Sequence, residues 1–553
     1  MPDTTAPHYR LVFLTVNSSY SHSSLALPLM HSACRDLAAW EWFRCDTTIA
    51  GDVMGAVREI FQYNCDLLVT DLYLFNRKTA LDILQRYHEL APACRIAVGG
   101  PECLGDGAEQ LKHSYPWLNA VFRGEGEEIF RDYLINFDLQ STNTSQIIPA
   151  DGNASFAGWS ESPYPVNDPF FDTAKPFVQI ETQRGCPMNC FYCTSGGTRT
   201  RYRTLEQVRE ELQILSARGV KELRLLDRTF NLPQERGAAL LKMFREEFPQ
   251  MKFHLELHPQ FLGDELRSEL MQALPGQLHI EAGIQCLNPL VQQAMGRRSD
   301  TGKALDGLQF LCRCQAFETH ADLLAGLPAQ HWQDVLDDTE QLMQINTAEI
   351  QLEVLKSLPG TPLRKIAADY GIKYAVETPY DVMTTALISL EEMQLARDLS
   401  RLLDLTYNHS YLHSAVLAMG SVCKNLPEKM LEFFHSAGGN ANTVWDLKKR
   451  FVFLRDFGRK FDLAAALYEL AYQWLRAGFP LRQGADEFSQ KAESVPPMAQ
   501  LIEGDCACRD ARETKYTLLS TPDGRYFLAY NRGYALNRPA AIWFLPQDKF
   551  ARR

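Results

Sequence analysis

The sequence predicts an α/β protein built in series: a doubly wound, Rossmann-like parallel sheet, then a partial (β/α)6 TIM-like barrel, then a mainly helical C-terminal region. Three observations carry this reading. Short apolar runs alternate with helical stretches from residue 9 to 135, and the alternation resumes near residue 176 for six repeats. From about Asp381 it gives way to long amphipathic helices. A chain of 553 residues is too long for one core, and at roughly 150 residues per domain it holds about three. The expected boundaries are 1–140, a connection over 141–175, then 176–380 and 381–553.

Taken in order, "YRLVFLTV" is the first strand, followed by a helix from about Leu25, a strand in "CDLLVTDLYL", a helix from Lys78 to Leu90, and strands in "CRIAVGGPE" and "AVFRGEGEE". Ligands of such a sheet sit beyond the carboxyl ends of the strands. The loops there supply the candidates: Asn17, Ser21, His22 and Ser23 in "NSSYSHSS", Leu72 and Tyr73 in "DLYLFN", Gly99, Gly100 and Pro101 in "GGPE", and Gly124, Glu125, Gly126 and Glu127 in "GEGEE". Glycines at these ends either admit a ligand close to the backbone or only make tight turns. Residues 140–175 are polar, contain prolines and show no period. The six barrel strands follow in "FVQIETQRG", "ELRLLDRTFN", "FHLELHP", "LHIEAGIQC", "HADLLAGLP" and "IQLEVLKSLPGTPL". Six repeats of strand then helix imply a barrel-like sheet with its chemistry at the carboxyl ends. Near the end, "KYTLLSTPDGRYFLAYN" reads as a hairpin turning at Pro522, Asp523 and Gly524. Cys506 and Cys508 form a C-x-C pair that could bind metal or exchange disulfides, but no third cysteine or histidine lies nearby.

Composition narrows the function classes. Hydrophobic residues at 46% and charged residues at 22% are those of a soluble globular protein. No apolar run approaches the ~18 residues of a membrane span. The first run lacks a cleavage-site pattern, so a cytoplasmic protein is expected. A net charge of −12 gives no global field for a phosphate backbone. Most of the fourteen cysteines stand alone and read as buried thiols of a reducing compartment.

The exception is "ETQRGCPMNCFYCTSGG", with Cys186, Cys190 and Cys193 inside eight positions after a strand. A structural zinc site normally shows two ligand pairs, and no second pair follows here. Three thiolates suit a 4Fe-4S cluster with one iron left open. The pattern C-x-x-x-C-x-aromatic-C, with Tyr192 as the aromatic, resembles the signature of radical S-adenosylmethionine enzymes. That resemblance implies an open iron chelating S-adenosylmethionine, whose reductive cleavage gives a 5′-deoxyadenosyl radical. It also implies roles residue by residue. Glu256 in "HLELHP" lies near the ribose and methionine end, Gln285 in "EAGIQC" at the ribose with Cys286 in place of the usual small hydroxyl residue, and Arg297 in "AMGRRSD" at the methionine carboxylate. Asp322 in "ADLLAGLP" points toward ribose, and Gly326 to Pro328 shape the adenine pocket. "LDRTFN", Asp227 to Asn231, replaces the usual glycine-rich element, which leaves the amino-group contact unassigned. Glu256 and Asp322 also admit an ordinary salt-bridge reading.

With an open sheet ahead of the barrel, "GGPE" and "GEGEE" are similar to the cobalamin-binding domain of cobalamin-dependent radical S-adenosylmethionine enzymes. The wider likeness is to a subgroup sharing "SSLAL", "DRTFN" and "GTPL". A D-x-H-x-x-G motif is absent, so a base-off corrinoid without a histidine ligand is implied, with His22 off that motif's place. The cofactors implied are a 4Fe-4S cluster, S-adenosylmethionine and cobalamin, with flavodoxin or ferredoxin as external electron donor. The activity implied is methylation of an unactivated carbon through methylcobalamin. Cyclisation or ring rearrangement without methyl transfer, and a corrinoid-binding sensor or carrier, stand as alternatives. A small-molecule or peptide substrate is favoured, and a tRNA nucleoside stays open.

Overall fold

Six consecutive residues of the first strand, Leu11 to Val16, are buried, the mark of a parallel strand covered on both faces. In the computed structural model, which describes residues 8–139, 145–162, 164–479, 489–504, 515–530, 539 and 541–547, this strand is β1 (Tyr9–Asn17). It is joined by β2 (Trp40–Thr48), β3 (Leu67–Asp71), β4 (Arg95–Gly99), β5 (Ala120–Phe122) and β6 (Gln146–Ile148). All pairs are parallel, in the order β2-β1-β3-β4-β5-β6. The order reverses between β1 and β3, so the loops after these two strands flank a topological switch point, and those after β4 and β5 lie at the same end of the sheet. Val12, Leu14 and Val16 pack on one face and Leu11 and Phe13 on the other. The connection expected over 141–175 supplies the edge strand β6 and buries Trp159. A three-residue strand flanked by polar residues is too short to show a period.

The chain divides into two compact units, Met1–Thr319 with Gly326–His331 and Val354–Leu390, and His320–Ala325 with Trp332–Glu353 and Glu391–Arg553. After β6 the first unit continues with β7 (Val178–Ile180), the antiparallel hairpin β8 (Gln183–Cys186) and β9 (Thr198–Tyr202), then β10 (Glu222–Leu225), β11 (Lys252–Leu257) and β12 (Leu278–Gln285). Strands β7, β10, β11 and β12 are parallel neighbours in that order. Burial alternates along β12, so Glu281, Gly283 and Gln285 share its less buried face, and Glu256 is paired across from Glu281 on β11. The last two expected barrel strands are β13 (Glu318–Ala325) and β14 (Glu349–Val354). A short antiparallel pair, β15 (Lys373–Tyr374) and β16 (Val382–Thr384), closes the first unit.

The second unit carries the expected amphipathic helices, among them Leu426–Ser436, Leu447–Lys460 and Ala464–Arg476. The expected hairpin is β19 and β20 of a larger antiparallel sheet made from β17 (Ser489–Ala492), β18 (Gln500–Gly504), β19 (Lys515–Thr521), β20 (Gly524–Tyr530) and β21 (Ala541–Pro546), in the order β17-β19-β20-β21-β18. Cys506 and Cys508 lie outside the described residues. Among the described residues no helix is long and apolar enough to cross a membrane.

Candidate active site

The cysteine loop is built from its anchors. Asp227, fully buried at the end of β10, accepts hydrogen bonds from Thr182 N (2.7 Å), Gln183 N (3.1 Å) and the Thr182 hydroxyl (2.5 Å), which fixes the path from β7 into β8. Burial pushes its carboxyl up to about 6. Inside the β8–β9 hairpin, Cys186 N donates to Thr198 Oγ1 (3.1 Å), Cys193 N to Cys190 O (3.1 Å) and Gly197 N to Met188 O (2.7 Å). Two segments clamp the loop from outside. Phe191 N donates to Met295 O (2.9 Å), and Leu363 N of "GTPL" donates to Phe191 O (2.9 Å). Between them Gly296 has φ +73°, and a Cβ there would lie 2.5 Å from Asn189 O and from the Phe191 ring. Only glycine fits that approach.

Cys186 and Cys190 are buried, Cys193 is half-buried, and none is in a disulfide. Burial raises Cys186 to about 11 and also raises Cys193, and each thiolate repels the others. Burial thus favours the thiol form of Cys186 and Cys193, and a bound cation is what would draw out their protons. Buried Arg297 brings Nη1 within 3.8 Å of Cys190 Sγ and donates Nη2 to Gly283 O (2.5 Å), while its Nε is without a partner. Gln285, at φ +70°, folds its amide beside Gly283, so Gln285 and Arg297 meet over that glycine. Burial keeps the Tyr192 phenol protonated, with its hydroxyl toward Cys190.

The structure therefore brings Cys186, Cys190, Tyr192, Cys193, Gln285 and Arg297 together. Glu256 joins through a residue that the sequence reading did not single out: Arg228, which forms an ion pair with it. Burial, ahead of repulsion from Glu281, raises the Glu256 carboxyl, and Arg228 opposes both. His258 was also passed over. It is buried at the end of β11, and burial together with Arg297 lowers it to about 3. Asp322 lies on β13 in the second unit. Gly326 begins a turn in which Gly326 N and Leu327 N both donate to Gln330 Oε1, at 2.9 and 3.0 Å.

A cavity of about 640 Å³ opens beyond the first sheet, within the range of cofactor pockets. Tyr73, Gly99, Gly100, Pro101 and the stretch Gly124–Glu127 line one side with Met30 and Phe122. Thr194, Ser195, Thr198 and Arg228 line the other. Asn17, Ser21, His22, Ser23 and Leu72 do not reach it. Asn17 is taken up by the turn in which Ile49 N donates to its carbonyl (2.9 Å), and His22 Nδ1 pairs with Ser19 Oγ (2.9 Å) while its ring meets Phe177 edge-on. Leu72 is fully buried, its N–H bonded to Gly99 O (2.8 Å). The glycines separate into two kinds. A Cβ at Gly100 (φ +92°) or Gly124 (φ +100°) would strike the backbone of Leu72 or Ala154, so these two serve chain crossings. At Gly99 a Cβ would meet only Phe122, at 3.7 Å. Glu125 and Glu127 are also partly spent within the protein. Arg184 pairs with Glu127 (2.7 Å) and Glu181 (2.8 Å), and Arg201 with Glu125. Burial works against the Glu125 carboxylate, but Arg201 and Arg184 hold its carboxyl below the ordinary value. Glu102 of "GGPE" is buried, accepting from Arg77 (3.0 Å) and from Tyr380 Oη (2.6 Å).

Residues 180–342 match the radical SAM superfamily. That stretch of the chain carries a radical SAM domain. Residues 368–476 match a family described as a protein of unknown function (DUF4080). Among its relatives, the chain is 23% identical to an uncharacterized methyltransferase of Pyrococcus horikoshii, over 58% of this chain and 73% of that one. It is 20% identical to the cobalamin-dependent radical SAM methyltransferase TokK of Streptomyces tokunonensis, over 60% of this chain and 54% of that one. This match spans about half the length of TokK. In fold it resembles the radical S-adenosylmethionine methyltransferase TsrM of Kitasatospora setae, in a structure with cobalamin and a [4Fe-4S] cluster bound, with TM-score 0.55 and 14% identity over 82% of this chain and 100% of that one. The radical SAM residues suit the group that the family uses. Three thiols, with no fourth in the loop, fit a cluster with one open position, and the partnerless Nε of Arg297 beside them fits a carboxylate there.

Proposed function

We propose that this radical SAM protein is a cobalamin-dependent methylase that places a methyl group on an unactivated carbon of a small molecule or peptide. The observation that carries this is the single cavity that has the Gly99–Pro101 and Gly124–Glu127 loops on one side and the cysteine loop, through Thr194 and Ser195, on the other. A group held against the first sheet would face whatever the cysteine loop holds. When bound, the cluster and the corrinoid supply the electron and the methyl carrier, chemistry that no side chain offers. The chain's own part is to bind and orient. Cys186, Cys190 and Cys193 hold the cluster, Arg297 and Gln285 position S-adenosylmethionine, Glu256 supports its amino or ribose end, and the apolar wall at Met30 and Phe122 excludes water.

Stoichiometry tests the reading. Carbon methylation consumes one S-adenosylmethionine as methyl donor and another as radical source. S-adenosylhomocysteine and 5′-deoxyadenosine should therefore accumulate in about equal amounts, with isotopically labelled methyl in the product. Turnover that yields 5′-deoxyadenosine without S-adenosylhomocysteine assigns cyclisation or rearrangement instead. The substrate is sought by comparing metabolites and digested tRNA nucleosides of a deletion strain with its parent. A missing methyl in the nucleoside fraction would replace the small-molecule or peptide substrate by tRNA. Electron delivery by flavodoxin or ferredoxin is part of the same proposal, and each is tested as donor in place of dithionite.

A further inference from the structure

Arg228 belongs to the segment Asp227–Asn231 that follows β10, and everything around it in that segment is tied down. Asp227 caps the β7 exit, Thr229 Oγ1 donates to Glu256 O (3.1 Å), and Asn231 Nδ2 donates to His258 O (2.9 Å) and Phe261 O (2.7 Å). The backbone is thus fixed on both sides of Arg228, while its side chain takes part in none of these bonds. That side chain reaches the cavity wall beside Leu226, Thr194 and Ser195, and pairs with Glu256. It is a cation held at the wall of the cavity that the cysteine loop also lines.

We propose that Arg228 is a positioning residue whose charge, metered by Glu256, sets the reduction potential of the cluster held by Cys186, Cys190 and Cys193. The inference rests on the cluster assignment made above. A cluster bound by three thiolates gains negative charge when it accepts an electron, and a nearby cation favours the reduced form. Glu256, and Glu281 opposite it on β12, face Arg228 from the barrel side and offset part of that charge. The link to the loop is geometric: Arg228 lines the same cavity as Thr194 and Ser195, the two residues that follow Cys193. Removing the cation and removing its counter-charge should therefore move the potential in opposite directions.

The test is an anaerobic redox titration of the reconstituted full chain with dithionite, following the electron paramagnetic resonance signal as [4Fe-4S]2+ takes one electron to become [4Fe-4S]1+. Arg228→Gln should shift the midpoint to more negative potential and Glu256→Gln to more positive potential, while Arg228→Lys stays near the parent. Arg267→Gln, whose partner is Asp306, serves as control and should not move it. If the parent chain assembles no cluster, the cluster assignment itself fails. If clusters assemble and Arg228→Gln leaves the midpoint unchanged, or both variants shift it the same way, the role given to Arg228 is wrong. Should Arg228→Gln fail to hold iron, the Glu256→Gln and Arg228→Lys midpoints decide alone: a positive shift in the first with none in the second supports the role, and any other pair overturns it.

Discussion

Asp227 shows how one side chain joins fold to site, because the three hydrogen bonds that aim the cysteine loop all end on its carboxylate. Burial lifts that carboxyl from an ordinary 3.8 to about 6. A raised acid binds its proton more tightly in the folded state, so its contribution to stability is fully present below about pH 4. It declines through the window up to about pH 6 and is lost above it. At 1.36 kcal/mol per unit the swing is at most about 3 kcal/mol. Asp227→Asn keeps the acceptor oxygen but not the titration. The destabilisation of this variant relative to the parent, from urea melts of cluster-free protein, should therefore shrink as pH rises from 4 to 7. A difference that stays constant or grows would show that Asp227 does not titrate in this window. Cys186, Cys190 and Cys193 make the complementary case. Their hairpin is held chiefly by bonds from its backbone and by the clamp at Phe191, with the sulfurs adding weaker contacts to backbone N–H groups and to Arg297. Alanine at any one of the three should abolish 4Fe-4S absorbance and S-adenosylmethionine cleavage after reconstitution while the circular dichroism of the apoprotein is unchanged. Retained cleavage in the triple variant would remove the cluster from this loop.

At the scale of elements, what the sequence makes legible is the buried parallel strand. β1, β3, β4 and β5 stand out because apolar runs covered on both faces leave an unmistakable pattern, and the barrel strands β11 to β14 because buried and less buried positions alternate along them. β2 escapes since "WEWFRCDTT" is an edge strand with charges on its open side, and the β8–β9 hairpin escapes since "QRGC" and "TRTRY" have no apolar face. The cysteines, Gln285 and Arg297 are legible as motifs, whereas Arg228 is not, its role depending on a tertiary meeting with Glu256. "GTPL" is a related case: its meaning is the bond from Leu363 N to Phe191 O, 172 residues away, together with Gly360 N donating to Asp106 Oδ1 (2.9 Å). The clamp gives a clean test at Gly296. Alanine there meets both a left-handed backbone and a backbone oxygen at 2.5 Å, which should cost about 1–3 kcal/mol. Because the cost falls on the loop rather than on a core, iron retention during gel filtration should drop well before the melting temperature does. Full iron retention in Gly296→Ala would show that Met295 and Gly296 do not clamp the loop.

At the scale of the whole molecule, the first sheet and the cysteine loop share one cavity, and the two kinds of glycine on its wall make that arrangement testable. Gly99 is the position where bulk can be added without breaking the fold, since a Cβ there meets only Phe122 at 3.7 Å, whereas at Gly100 it would press on Leu72 O at 2.7 Å. Gly99→Leu should therefore weaken hydroxocobalamin binding by tenfold or more, read by absorbance after gel filtration, with cluster content intact. Gly100→Ala should instead lower the melting temperature. If Gly99→Leu binds cobalamin as the parent does, the corrinoid lies elsewhere. A corrinoid held in this cavity would meet at cobalt only what its wall offers. His22 does not line it, pairs with Ser19 and packs edge-on against Phe177, and among the described residues no histidine appears in its wall. Electron paramagnetic resonance of the cob(II)alamin form should then show no nitrogen triplet from histidine, and His22→Ala should leave the spectrum as it was. A triplet that disappears in His22→Ala would mean that the first-strand loop swings inward on binding and that the corrinoid is ligated after all.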